Sequence, residues 1–100
     1  MTEMMTLITE DGSAPAYTGG LSDEALVHCY RTMLLVRAFD DICMKLQRSG
    51  RIGFSVPNKG VEATQVGAAS ALRSSDIFFP SYRDFGMALY HGVRPAAMMN

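Results

Sequence analysis

A chain of 100 residues, 48% hydrophobic and 19% charged, has material for one modest core, and that balance speaks against both disorder and a membrane span. The formal net charge of −1 leaves no basic footprint for nucleic acid or for an anionic membrane surface. No basic and apolar leader opens the sequence, so the expected setting is cytoplasmic.

Residues 1–20 combine Gly12, Pro15, Gly19 and Gly20 with no sustained periodicity and read as a tail or strap, which Leu7, Ile8 and Tyr17 could pin to a neighbour. Residues 21–100 read as one incomplete domain. Ser22, followed by Asp23 and Glu24, starts a helix by capping its first N–H groups and matching the positive end of its dipole. Leu26, Cys29, Tyr30, Met33, Val36, Ile42, Cys43 and Leu46 then recur at helical spacing until Gly50, giving a helix over about 22–49. On such a helix Cys29 and Cys43 stand ~21 Å apart, too far for a disulfide, so two reduced thiols are expected. Asp40 and Asp41 diverge by about 100° around the axis and are expected to pair with Arg37 and Lys45.

Residues 51–56 read as extended, and Pro57-Asn58-Lys59-Gly60 as a turn or loop. Val61 to Arg73 is an amphipathic helix rich in small residues, expected to be buried. After the Ser74-Ser75-Asp76 turn, Ile77-Phe78-Phe79 is a wholly apolar run of strand-favouring residues, expected to be a short buried strand that Pro80 closes. Ser81 and Asp84 resemble an acidic capping box opening a helix to about Tyr90 and His91, which Gly92 ends. Pro95 suits the first turn of a further helix. Met98 and Met99 look like the opening of another amphipathic element, so Asn100 is expected to lie within a longer chain. The expected class is α/β, mostly helical here with one short buried strand.

One window carries most of the chemistry. Where a strand yields to a helix at Phe79-Pro80-Ser81-Tyr82-Arg83-Asp84, free N–H groups, a phenol and a guanidinium fork would together make a cradle for a diphosphate. A capped helix with a surface arginine accounts for the same residues. Glu62, in the first turn after Gly60, either complements a helix dipole or lines a pocket. His28 and His91 have no second ligand at metal spacing, and no catalytic residue or metal site is assigned.

Several strings, in order, resemble the alpha subunit of thiamine-diphosphate-dependent 2-oxo acid dehydrogenases. They are Tyr30-Arg31-x-Met33, Arg37-x-Phe39-Asp40, Gln47-Arg48-x-Gly50-Arg51-Ile52-Gly53-Phe54, Gly60-x-Glu62-Ala63, Val66-Gly67, Ala71-Leu72 and Phe79-Pro80-Ser81-Tyr82-Arg83-Asp84-x-Gly86. The resemblance covers about residues 21–99 and implies the N-terminal part of a thiamine-diphosphate-binding fold. It implies an α2β2 assembly with a beta subunit, and acyl transfer to a lipoyl-bearing acyltransferase. Ser81, Tyr82 and Arg83 fall on the diphosphate-binding positions, and Phe54, Val56 and Glu62 on candidate substrate-pocket positions. Pyruvate-specific members of the mammalian type carry histidine where this chain has Val56, which fits a larger aliphatic substrate. The family's Gly-Asp-Gly…Asn segment for Mg²⁺ has no counterpart in these residues, so those ligands are expected downstream and the 100 residues alone are expected to be inactive. A small helical protein-interaction module, or a non-catalytic fragment, is the competing reading.

Overall fold

A computed structural model describes residues 8–14 and 19–99. Four helices follow in order, α1 Asp23–Arg48, α2 Glu62–Ser70, α3 Phe85–Tyr90 and α4 Pro95–Met98. The first three pack on one another pairwise.

Local chemistry accounts for α1. The hydroxyl of Ser22 accepts from the N–H of Ala25 at 3.2 Å, Asp23 and Glu24 occupy the positive end, and Lys45 and Arg48 the negative end. The chain reverses at Gly50, φ 71°, where its N–H donates to Gln47 O at 3.0 Å and that of Arg51 to Leu46 O at 2.9 Å. This paired closure requires the left-handed conformation that glycine adopts without penalty. Proline stands in the first turn of α4, as its sequence position predicts.

The core is small and lies between α1, α2 and α3. Val36, Phe39, Cys43, Val66, Ala69 and Leu89 are buried, and Phe39 meets Phe85 edge to face at 4.9 Å. Tyr30 and Ile42, read as core from their spacing, are instead 62% and 52% exposed. α2 buries only the face bearing Glu62, Gln65, Val66 and Ala69, and it ends at Ser70. Its small residues Ala63, Gly67 and Ala68 are exposed, so the amphipathic helix expected to be buried is buried on one face only.

The α/β expectation is overturned, because no strand occurs among the described residues. Ile77 and Phe79 are 83% and 94% exposed. Strand-favouring side chains make a strand only when a neighbouring backbone takes up their N–H and C=O groups, and no described segment does so here. The helix expected from Ser81 also starts later, at Phe85. Of the expected pins in the tail, Ile8 is exposed, while Leu7 and Tyr17 lie outside the described residues.

Gly86 marks the tightest approach in the core. A β-carbon there would collide with the Gln65 side-chain oxygen and sit 3.2 Å from Val36 Cγ2. Gly86→Ala should therefore cost about 1–3 kcal/mol, read as a lower urea midpoint, because it displaces a buried, hydrogen-bonded amide.

Candidate functional site

A buried polar chain ties the core to the segment that carries the candidate site. Asp40 and Asn58 are both fully buried. Asp40 Oδ2 accepts from the backbone N–H of Asn58 at 2.6 Å, and Oδ1 accepts from Asn58 Nδ2 at 3.3 Å. Gln65 Nε2 donates to Asn58 Oδ1 at 2.6 Å and also to the carbonyl of Arg83. Gln65 Oε1 in turn accepts from the N–H of Gly86 at 2.9 Å. α1, the 57–60 turn, α2 and the start of α3 are thus joined through three side chains. The pairing of Asp40 with Arg37 or Lys45 expected from sequence does not form. Asp41 meets Lys59 at 2.7 Å instead, and that contact holds its carboxyl below the usual range.

Residues 81–84 form a turn rather than a first helical turn. The Asp84 carboxylate accepts from the N–H of Ser81 at 2.9 Å and from its hydroxyl at 2.7 Å. The Ser81 hydroxyl, with its N–H, pulls the Asp84 carboxyl below its ordinary 3.8. The proton of Ser81 is committed to this turn, and the N–H of Gly86 is taken by Gln65. Two N–H groups of the cradle expected from sequence, those of Ser81 and Gly86, are therefore already claimed internally. Those of Tyr82 and Arg83 are exposed, Tyr82 by 78%, and neither has a hydrogen-bonding or ionic partner among the described residues.

Beside this turn lies a cavity of about 320 Å³, lined by Phe39, Cys43, Ile52, Phe54, Ser55, Val56, Tyr82, Phe85, Met98 and Met99. Phe54, Val56 and Tyr82 therefore share one apolar space, and Arg83 follows on the same turn outside its lining. Burial pushes the Cys43 thiol up, so it stays protonated, with Sγ 3.9 Å from Met99 Sδ.

Glu62 is not in this cavity. Its Oε1 accepts from Arg37 Nε at 2.6 Å and its Oε2 from the N–H of Gly60 at 2.8 Å, clamping α2 to α1. The Arg37 bond, then its own N–H and that of Gly60, holds its carboxyl below the ordinary 4.5. A carboxyl depressed on folding contributes stability above its unfolded value and loses it as pH falls through the folded one. Glu62→Gln should accordingly flatten the loss of stability below pH 4.5 while leaving its slope between about pH 6 and 8 unchanged, as read from urea midpoints across pH.

His28 and His91 both lie against Tyr90, and the first places Nε2 at 3.1 Å from the Tyr90 carbonyl. Cys29 and Cys43 are free thiols. Among the described residues no three His, Cys, Asp or Glu side chains group as metal ligands, and no helix is long and apolar enough to cross a membrane.

Residues 30–100 match the family described as the dehydrogenase E1 component. The chain belongs to that family. The E1 component family is one of thiamine-diphosphate-dependent 2-oxo acid dehydrogenases, so the resemblance drawn from the sequence holds. Over 96 residues the chain is 38% identical to the 3-methyl-2-oxobutanoate dehydrogenase subunit alpha of Mycobacterium tuberculosis (strain CDC 1551 / Oshkosh), covering 93% of this chain and 26% of that protein. It is 47% identical over 81 residues to the 2-oxoisovalerate dehydrogenase subunit alpha of Bacillus subtilis (strain 168), covering 80% and 24%. It is 37% identical over 93 residues to the pyruvate dehydrogenase E1 component subunit alpha of Staphylococcus epidermidis (strain ATCC 35984 / DSM 28319 / BCRC 17069 / CCUG 31568 / BM 3577 / RP62A), covering 91% and 25%. The chain thus spans about a quarter of the length of these E1 relatives. No solved structure matches it at a significant level.

The matched residues 30–100 contain Phe54, Val56, Glu62, Ser81, Tyr82 and Arg83, the candidate cofactor and pocket positions drawn from the sequence. Asn58 and Gln65, which sequence reasoning did not select, fix the backbone beneath them.

Proposed function

We propose that this chain supplies part of the diphosphate site of an E1 component that decarboxylates a 2-oxo acid and passes the acyl group to a lipoyl-bearing acyltransferase, in an α2β2 assembly with a beta subunit. The supporting observation is the turn at 81–84, held from inside by Gln65, with Tyr82 lining an apolar cavity, Arg83 next to it on the turn, and neither side chain partnered among the described residues. A diphosphate needs donors that no internal acceptor has claimed, and a guanidinium fork with a phenol provides them. Ser81 acts in this reading by shaping the turn through Asp84. Thiamine diphosphate, when bound, supplies the electron sink for decarboxylation. The residues of this chain bind and orient it, and the Mg²⁺ ligands come from other parts of the alpha subunit.

The cavity side of the site favours an aliphatic substrate. Phe54 and Val56 present carbon to it, and two of the three relatives named above are called 3-methyl-2-oxobutanoate and 2-oxoisovalerate dehydrogenases. We expect the reconstituted enzyme to prefer a branched aliphatic 2-oxo acid over pyruvate by roughly 10-fold or more in kcat/KM, the discrimination one or two buried methyl groups confer. Val56→His should shrink that ratio. Equal kcat/KM for both acids, unmoved by Val56→His, would reject the cavity as the acyl site.

A further inference from the structure

The side-chain amide of Gln65 is oriented from both ends. At one end the Asp40 carboxylate can only accept, so it takes the backbone N–H and Nδ2 of Asn58 and leaves the Asn58 oxygen facing Gln65. At the other, the Arg83 carbonyl can only accept and the Gly86 N–H can only donate. Gln65 meets all three, with Nε2 on Asn58 Oδ1 and the Arg83 carbonyl and Oε1 on Gly86. A flipped amide would satisfy none of them. The stretch from Arg83 to Gly86 is thus pinned at both ends by one side chain, and between them Phe85 packs edge to face on Phe39 at 4.9 Å. Asp40, Asn58 and Gln65 are buried within this chain, so the hold does not depend on what covers its outer faces.

The geometry points to Gln65 as a positioning residue for the diphosphate: its amide fixes the main chain from which the Arg83 guanidinium, and Tyr82 beside it, reach the cofactor. This role rests on the reading of Tyr82 and Arg83 as diphosphate ligands. A binding constellation tolerates misplacement of about 0.5 Å or 10–20°. The guanidinium lies at the end of a long, flexible stem, so a small rotation about a freed Arg83 peptide carries its tip past that limit.

Calorimetric titration of thiamine diphosphate into the complete alpha and beta assembly tests the role through a double-variant cycle. Gln65→Met keeps the side chain's length and removes every polar atom of the amide. It should weaken Kd by about 10-fold, the low end of what losing a supporting partner does to a bound metal. With Arg83→Ala already present, adding Gln65→Met should weaken Kd by no more than about 2-fold, because the side chain through which it acts is gone. Val66→Ala, a core change on the same helix, should lower the urea midpoint and leave Kd unchanged, which separates positioning from stability. Gly86→Ala, whose β-carbon would collide with the Gln65 oxygen, supplies a second cycle with the same expected outcomes should Gln65→Met not assemble. Full affinity in Gln65→Met, with affinity lost in Arg83→Ala, overturns the positioning role alone. An equal loss in Val66→Ala, or a Gln65→Met loss undiminished in the Arg83→Ala background, does the same. Full affinity in Arg83→Ala overturns the diphosphate reading beneath it.

Discussion

Asp40→Ala is expected to lower the stability of the fold by about 3 kcal/mol, more than any other single change considered above. The carboxylate is fully buried and accepts from both the backbone and the side chain of Asn58. Its removal strands two donors where water does not reach, and each stranded donor costs roughly 1–3 kcal/mol. Asn58 then loses the geometry that presents its oxygen to Gln65, so the loss spreads to α2 and to the start of α3. Urea denaturation followed by circular dichroism reads the effect directly. An unchanged midpoint would show that the buried chain from Asp40 to Gly86 does not hold the helices together. The double variant with Asn58→Ala should cost less than the sum of the two single changes, because both remove the same bonds.

The second large effect concerns ligand rather than fold. Arg83→Ala in the complete alpha and beta assembly should weaken thiamine diphosphate binding by about 2 to 4 kcal/mol, or roughly 30- to 1000-fold in Kd, with Tyr82→Phe giving a smaller loss. Urea stability should not change, since the guanidinium has no partner among the described residues. Calorimetric titration with the cofactor separates these outcomes. Full affinity in the Arg83→Ala variant would remove this residue from the diphosphate site.

Features governed by near neighbours were legible in the sequence. Ser22 and the acids after it announce α1, and Gly50 announces its end, because capping and chain reversal are settled within five residues. The Ile77–Phe79 run was misread because strand formation depends on a second backbone that composition does not reveal. The buried polar chain was missed for a related reason. Asp40 bonds 18 positions along the chain, and its sequence neighbours Arg37 and Lys45 offered a simpler local pairing. One signal was available, since Asp40 falls on the buried stripe of Val36, Phe39 and Cys43, where a carboxylate must find donors. Tyr82 and Arg83 stand as diphosphate candidates on family resemblance more than on local physics, because the helix that was to supply their anion-attracting end begins at Phe85 and its Gly86 N–H is already capped.

That cap has a mechanical consequence. Gln65 grips the main chain on either side of Asp84, at the carbonyl of Arg83 and the N–H of Gly86, while leaving the outward side chains of Tyr82 and Arg83 untouched. The scaffold and the fingers it carries are therefore separable. Fingers can be exchanged without loosening the scaffold, whereas a slip of α2 by a single residue would swing both fingers away together.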